Sequence, residues 1–529
     1  MAKDDRQRDG PNHESNDKDD VDDVGVQIRV NFVLDPSVED RSLEVPVEPI
    51  AVPADIRRKG LSAVVNHLLD RRVDNDKKDD ESDSDDDDDD DDMSDKLPAI
   101  PFDFVVSKRL LRTGVESAAR RYGLSLERSV TVTYFPAQVA PEEQGQSEPQ
   151  PDWISSLSYM DGFVYATGYD GSLRVYSESK DGLSTMATAT PHSSPIKCLA
   201  VSDYSDNSNS ASGTQSLIAT GSMDQTIALH VWERRSEKTQ SGVLRKVAEC
   251  TDGHTSSIGC LSIDSNNTDR QVMVSGDWDG RLCLWDLRAM TKNSSSSKDD
   301  DDDDDTTFAK NSRNKKQRSN KKGSSIPTAP TSVRPISSLT AHTSQISGAA
   351  WLNTNHVVTS SWDHSVKVWN MEREECGLTL NGSRVVSCMD LSRHSPVVAT
   401  GHPDCTVRLW DVRTEGSEKG GNNNQNNSVS ASSFDASLKP SHKAWVSGVQ
   451  WSRTNPFLLA SSSHDGTLKV WDIRSSLPLH TVRVVPKEEK ALCLVFGGNS
   501  SNQGGDGEGN DNSMIYTGGT DCVVKRYGL

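Results

Sequence analysis

The chain contains no apolar run near membrane-spanning length, and no apolar segment stands at its N-terminus. It therefore predicts neither a membrane anchor nor a secretory leader. Its nine cysteines form no Cys-x-x-Cys pair, and nine is an odd number. Cys260, Cys283, Cys388 and Cys493 fall within strand patterns and read as small buried hydrophobes of a reducing compartment. Hydrophobic residues are only 33% of the 529, and aromatics 5%. That is low for a wholly globular chain, and the deficit is concentrated in a few polar segments.

The net charge of −21 is also concentrated. Residues 74–95 carry −13, 299–305 carry −7, and 1–24 carry −5, while 310–322 carry +7. About −3 remains for everything else, so the body of the protein is nearly neutral and its acidity lies in solvated segments. Composition excludes an acidic nucleic-acid mimic.

Against this background stands a repeat. Seven times an Asp is followed by a short apolar strand ending in an aromatic residue: Asp170/Tyr176, Asp224/Trp232, Asp279/Trp285, Asp363/Trp369, Asp404/Trp410, Asp465/Trp471 and Asp521/Tyr527. Six pairs share one spacing, and the second carries two extra residues. A unit of this size cannot bury its apolar face alone, so copies must stack, and seven can close a ring. Around Val449 and Leu468 apolar residues alternate as strands, and residues 463–466 read as a hairpin turn. With its period, opening His and closing Trp-Asp, the unit resembles the WD repeat, in which four strands form one propeller blade.

The resemblance implies a buried hydrogen-bond network of His, Ser/Thr, Asp and Trp inside each blade. The expected sets are His192, Thr220, Asp224 and Trp232; His254, Ser275, Asp279 and Trp285; His342, Thr359, Asp363 and Trp369; and His442, Ser461, Asp465 and Trp471. The fifth copy has Thr400, Asp404 and Trp410 without an opening His. The seventh has Thr517 and Asp521 but ends in Tyr527. The first lacks the His, ends in Tyr176, and is one residue short between Thr167 and Asp170. These three are expected to rely more on packing than on the network. Because the His and Asp residues recur at blade-fixed positions, they read as scaffold, and no catalytic residue or cofactor is expected. The last copy ends after its third strand, so 137–151, with Pro141, Pro149 and Pro151 suited to an edge, is the expected ring-closing segment.

Before the repeats, residues 1–24 are polar, and 25–136 read as a small α+β domain of ubiquitin-like size. Its expected strands lie around Val26–Phe32, Leu43–Val47, Phe102–Val106 and Val130–Tyr134, with a helix from Leu61 to Leu69 and an acidic insertion at 71–97. The propeller, 152–529, carries expected loops at 202–214, 291–335, 414–438 and 498–512. The glycines at 504–509 do not sit between a strand and a helix and read as loop. Lys315, Lys316, Arg318, Lys321 and Lys322 form a basic cluster read either as a nuclear import signal or as an RNA-contacting arm, with import favoured because no aromatic interleaves the bases.

The stretches RRKGLSAVVNHLLD, PFDFVVSKRLLRT and YGLSLERSVTVTY resemble the NLE, or Notchless-like, domain. This domain precedes a propeller in two kinds of ribosome-assembly factor: the eight-repeat Notchless type, and the seven-repeat WD subunit of the PeBoW complex. Seven copies, with DWISSL at 152–157, favour the second. The resemblance implies a non-enzymatic factor for the large (60S) subunit, acting in maturation of its rRNAs in nucleus, nucleolus and nucleoplasm. Its implied partners are the block-of-proliferation protein, pescadillo, pre-60S particles and the ATPase midasin. It further implies that Glu127, after Gly123-Leu124-Ser125, completes a divalent cation held in midasin's adhesion site; Glu116 is the nearest competitor. A rival reading, a propeller substrate receptor of a ubiquitin ligase, lacks any ligase-docking segment.

Overall fold

The computed structural model describes residues 26–38, 40–71, 97–179, 182–204, 215–234, 242–264, 271–288, 331–413, 438, 441–498 and 513–529. They form two compact units, divided between residues 138 and 139.

In the first unit, strands β1 (Gln27–Leu34), β2 (Ile50–Pro53), β3 (Phe102–Val106), β4 (Arg109–Leu110) and β5 (Val130–Pro136) form one sheet in the order β2-β1-β5-β3-β4. β1 runs parallel to β5, and β2 folds back antiparallel on β1. Helix α1 (Arg58–Leu68) buries Leu61 and Val65, and α2 (Val115–Arg121) buries Val115, Ala118 and Ala119. The alternation of Ile28, Val30 and Phe32 places all three in the core. This is a ubiquitin-like α+β arrangement.

The expected second strand is displaced. Asp40 caps a 3-10 turn at Arg41–Leu43 by accepting the Ser42 N–H at 2.9 Å. Leu43, the last residue of that turn, and Val45 are buried and pinned by Tyr134, whose hydroxyl donates to Leu43 O at 2.7 Å and accepts the Val45 N–H at 3.0 Å. Strand pairing starts only at Ile50. A side-chain anchor and alternation look alike in sequence, because both bury every second residue. Helix α1 begins three residues before the expected Leu61.

The second unit holds seven sheets among the described residues. Blade 1 comprises β7 (Ile154–Met160), β8 (Phe163–Gly168), β9 (Leu173–Ser179) and β10 (Gly182–Ala189). The innermost strands of blades 2 to 7 are Ile196–Tyr204, Ile258–Ile263, Ile346–Trp351, Cys388–Leu391, Val446–Trp451 and Ala491–Gly497. In six of the seven sheets, the innermost strand is bulged near its start, which steepens its twist. Ile154, Leu157 and Tyr159 share an apolar cluster with Val495 and Tyr516, so blade 7 packs on blade 1 and the ring is closed. The fourth strand of blade 7 is β6 (Glu142–Gln146), which pairs antiparallel with Lys525–Gly528. The Ser147 and Gln150 N–H groups continue the joint by donating to Val524 O and Cys522 O at 2.8 and 2.7 Å.

Several inserts are shorter than expected. The inner strand of blade 2 continues through Tyr204. Thr331–Val333 adds a parallel fifth strand to blade 2 along Gly242–Cys250. In blade 5, which has three strands among the described residues, Leu438 is buried and its N–H donates to Val407 O at 3.2 Å. Residues 1–24, the acidic stretch at 72–96, the basic cluster Lys315–Lys322 and the glycines at 504–509 lie outside the described residues. All nine cysteines are free thiols; Cys260, Cys283 and Cys493 are buried and Cys388 is partly so.

Candidate interaction surfaces

Each blade's polar interior is built around one turn aspartate. In blade 4, His342 Nδ1 lies 2.8 Å from Asp363 Oδ2, and its Nε2 lies 2.7 Å from Thr359 Oγ1. The Trp369 indole N–H donates to the same hydroxyl at 3.0 Å. Blade 6 repeats the set: His442 meets Asp465 at 3.3 Å and Ser461 at 2.8 Å, and Trp471 donates to Ser461 at 2.8 Å. Burial works to raise both carboxylates, but the histidines and the hydroxyls of Ser365 and Thr467 hold them well below the usual range. A buried network stabilises when every member has a partner, and these do.

Blade 3 corrects one expected member. His254 Nδ1 lies 2.9 Å from Asp277, and Asp279 is exposed. Asp277 also accepts the N–H groups of Asp279 and Arg281. At the same position blades 4 and 6 have Ser361 and Ser463, whose side chains are too short to reach the histidine, so the later Asp does so there. Ser275 completes the set, 2.5 Å from His254 Nε2 and 2.7 Å from the Trp285 indole nitrogen. Burial alone lowers the His254 pKa, but the Asp277 carboxylate and the Cys283 sulfur raise it to about 9. His442, with its longer bond and a less buried carboxylate, is lowered instead, because burial outweighs Asp465.

In blade 2, His192 meets Asp224 at 2.9 Å and Thr220 at 3.0 Å, but the buried indole N–H of Trp232 has no hydrogen-bond partner among the described residues. The extra two residues are not an insertion. Ile218 pairs with His230, as Leu459 pairs with Trp471 in blade 6. His230 therefore occupies the tryptophan's place, and Trp232 is the next residue on that face, edge-on to Phe163 at 5.5 Å. Burial lowers the His230 pKa to about 4.

The blades without an opening His do not rest on packing alone. In each, a cation four residues after the turn aspartate pairs with it: Asp170 with Arg174 at 2.8 Å, Asp404 with Arg408 at 2.6 Å, and Asp521 with Lys525 at 2.9 Å. Blade 5 also supplies a histidine from within. His402 Nδ1 lies 2.8 Å from Val385 O, a carbonyl that can only accept, so Nε2 takes the Thr400 hydroxyl at 2.8 Å; Thr400 in turn accepts the Trp410 N–H at 2.7 Å. In blade 1 the Tyr176 hydroxyl accepts from Gln150 Nε2 at 2.7 Å. These partners were legible as an Asp-x-x-x-Arg/Lys spacing, as a His two residues after Thr400, and as a His ten residues after Thr220. Among the described residues, no group of three or more His, Cys, Asp and Glu side chains is placed to hold a metal ion.

Glu127 lies in the turn between α2 and β5. Gly123, at φ +68°, ends α2, and the Leu124 N–H bonds to Ala119 O at 2.9 Å. Leu124 and Leu126 pack on the domain core, which fixes the turn and leaves Ser125 and Glu127 exposed. Among the described residues Glu127 makes no hydrogen bond or ion pair, so its oxygens are available to a hard cation presented from outside. Glu116 is instead bound by Arg120 at 2.5 Å. The two carboxylates are thus separated by their surroundings.

Comparison with known proteins follows the same division. Residues 28–119 match the NLE (NUC135) domain. The WD domain, G-beta repeat, matches 184–230, 245–286, 333–370, 374–411 and 428–472. Those segments pass over most of blade 1 and all of blade 7, whose copies end in Tyr176 and Tyr527. The ribosome biogenesis protein WDR12 homolog of Chlamydomonas reinhardtii is 27% identical over 92% of this chain and 94% of its own length. The Arabidopsis thaliana homolog is 27% identical over 91% and 97%. The ribosome biogenesis protein YTM1 of Candida glabrata is 27% identical over 88% and 91%. The chain belongs to the NLE-domain, WD-repeat ribosome biogenesis factors.

Proposed function

We propose that this protein is a mechanical handle on the precursor of the large ribosomal subunit, with no chemistry of its own. The propeller is the platform: it binds the block-of-proliferation partner and, with pescadillo, forms a PeBoW-type complex needed for maturation of the large-subunit and 5.8S rRNAs. The NLE domain is the grip: it docks on midasin, and Glu127 completes the coordination of a divalent cation in midasin's adhesion site. ATP hydrolysis by midasin then pulls the protein and its partners off the particle. The site of action is the nucleolus and nucleoplasm. The observation that supports this reading is an exposed, unpartnered carboxylate held on a rigid turn at Glu127. The seven propeller sheets favour the seven-repeat type over the eight-repeat Notchless type.

The test is Mg²⁺-dependent capture of the midasin adhesion domain by the full chain. Glu127→Ala should abolish capture with both domains still folded, and Glu116→Ala should leave it intact. Undiminished capture by Glu127→Ala refutes the assignment.

A further inference from the structure

One face of the propeller carries the aspartate turns and the residue that leads into each inner strand. The two are tied together by backbone bonds in which the turn residue's N–H donates to the lead-in carbonyl. Tyr169 donates to Trp153 O, Trp362 to Gln345 O and His464 to Trp445 O, each at 2.9 Å. In most blades one member of the tied pair is small or polar, as with Pro195, Ser257 and Gln345.

What sets blades 4 and 6 apart is that their exposed tryptophans meet each other, whereas Trp153 of blade 1, 47% exposed, meets Tyr169 of its own blade. Trp362 and Trp445 are 37% and 46% exposed, although both are among the costliest side chains to leave in water. Their rings meet at 6.5 Å and 71° across blade 5, whose own turn residue is the compact Pro403. His464 lies flat against Trp445, at 6.2 Å and 8°. Beside this corner is a cavity of about 360 Å³ lined by His364, Ser383, Arg384, Val385, Pro403 and Asp404.

Asp404 lines the cavity, but its carboxylate is already met from within blade 5 by Arg408 and Thr406. The carboxylates of Asp363 and Asp465 are taken up by their blade networks. The Arg384 side chain is 64% exposed, and its acidic neighbour among the described residues, Asp404 at 3.8 Å, is already held by Arg408 at 2.6 Å. Lys443, two residues from Trp445, is exposed and makes no ion pair among the described residues. Flat aromatic faces with single cations spaced around them suit a ligand made of alternating planar rings and single negative charges. An acidic peptide offers the charges without the rings.

We propose that this aromatic corner binds single-stranded RNA, with one base stacking at Trp362 and Trp445, the next entering the cavity, and Arg384 and Lys443 meeting the flanking phosphates. The proposal is independent of Glu127 and of any partner of the NLE domain. A factor that assembles ribosomes works beside unpaired precursor RNA, so such a ligand is within reach.

The test titrates the full chain with a fluorescein-labelled ten-nucleotide oligouridine and maps its ultraviolet crosslinks by mass spectrometry. Trp362→Ala/Trp445→Ala should weaken binding by about tenfold or more, and crosslinks should fall on peptides containing these residues. Arg384→Gln should weaken binding and flatten its salt dependence. Trp153→Ala, at the equivalent lead-in position of blade 1 and edge-on to Tyr169, should change nothing. The proposal is overturned if the double variant binds the oligonucleotide as tightly as the parent, or if crosslinks map only elsewhere, as to the basic segment at 310–322. It is equally overturned if a Glu-rich peptide binds with loss in the double variant while the RNA does not.

Discussion

Blades 3, 4 and 6 satisfy their aspartate with a histidine that arrives from the loop before the blade, 21 to 23 residues away. Blades 1, 5 and 7 satisfy it with a cation four residues along the same hairpin. The polar problem is identical, a partly buried carboxylate at a tight turn, but the two solutions do different mechanical work. The histidine staples two separate segments together and shares a hydroxyl with the tryptophan. The ion pair stiffens one hairpin and leaves the lead-in loop to other contacts. A propeller of this family can therefore lose the histidine from a blade without leaving a bare carboxylate, provided the cation is present.

The widest gap between the two classes is expected at Asp277. Its removal takes the partner from buried His254 and the acceptor from the Asp279 and Arg281 N–H groups, and Asp277→Ala should cost about 3–5 kcal/mol in urea unfolding. Asp279→Ala, at the position the repeat pattern singles out, should stay within about 0.5 kcal/mol. Equal effects would restore Asp279 to the network.

A smaller effect is expected in blade 5. The side chains of Asp404 and Arg408 are about a quarter exposed, 27% and 24%, so water screens the pair. Arg408→Gln should cost about 1 kcal/mol or less. A loss as large as that of Asp277→Ala would show that the local pair carries as much as the long-range staple.

The subtlest difference is in pH dependence, and the two histidines run in opposite directions. Burial, then Arg408, lowers His402 to about 4. Between the ordinary value of about 6.5 and that point, the unfolded chain takes up a proton that the folded chain refuses. The stability present above pH 6.5 is thus lost as pH falls toward 4. His254, raised to about 9, contributes stability that is complete below pH 6.5 and lost as pH rises through 9. His402→Gln should therefore make urea stability fall less steeply between pH 6.5 and 4, without altering its decline above pH 7. His230, also lowered to about 4, should keep part of the acid slope. An unchanged acid limb would mean that His402 is not held neutral.

Much of the scaffold was readable because repetition is a one-dimensional signal. Spacing located the hubs Ser275, Thr359, Thr400 and Ser461, and the tryptophan ten residues after each. Reading failed where two residue types can fill one place. Asp277 and Asp279 both stand near the turn, and only side-chain reach distinguishes them. His230 and Trp232 lie on one face of one strand, and only cross-strand pairing shows which one sits two residues past the threonine's partner. In the first domain, Leu43 and Val45 are buried like strand residues but are held by Tyr134, 91 residues from Leu43. The turn that carries Glu127 is fixed locally, by Gly123 and the two leucines around Ser125.

By itself the sequence determined the number of repeat units, the polar segments between them and the residues that must be buried, because each follows from periodicity and charge along the chain. The tertiary structure alone decided that Asp277 and not Asp279 meets His254, and which residues of the expected segment 137–151, Glu142–Gln146, pair with Lys525–Gly528 to close the ring. It alone brought Trp362 and Trp445 into one corner across an intervening blade. Those are contacts between residues far apart in the chain, set by how blades pack side by side, and no local pattern encodes them.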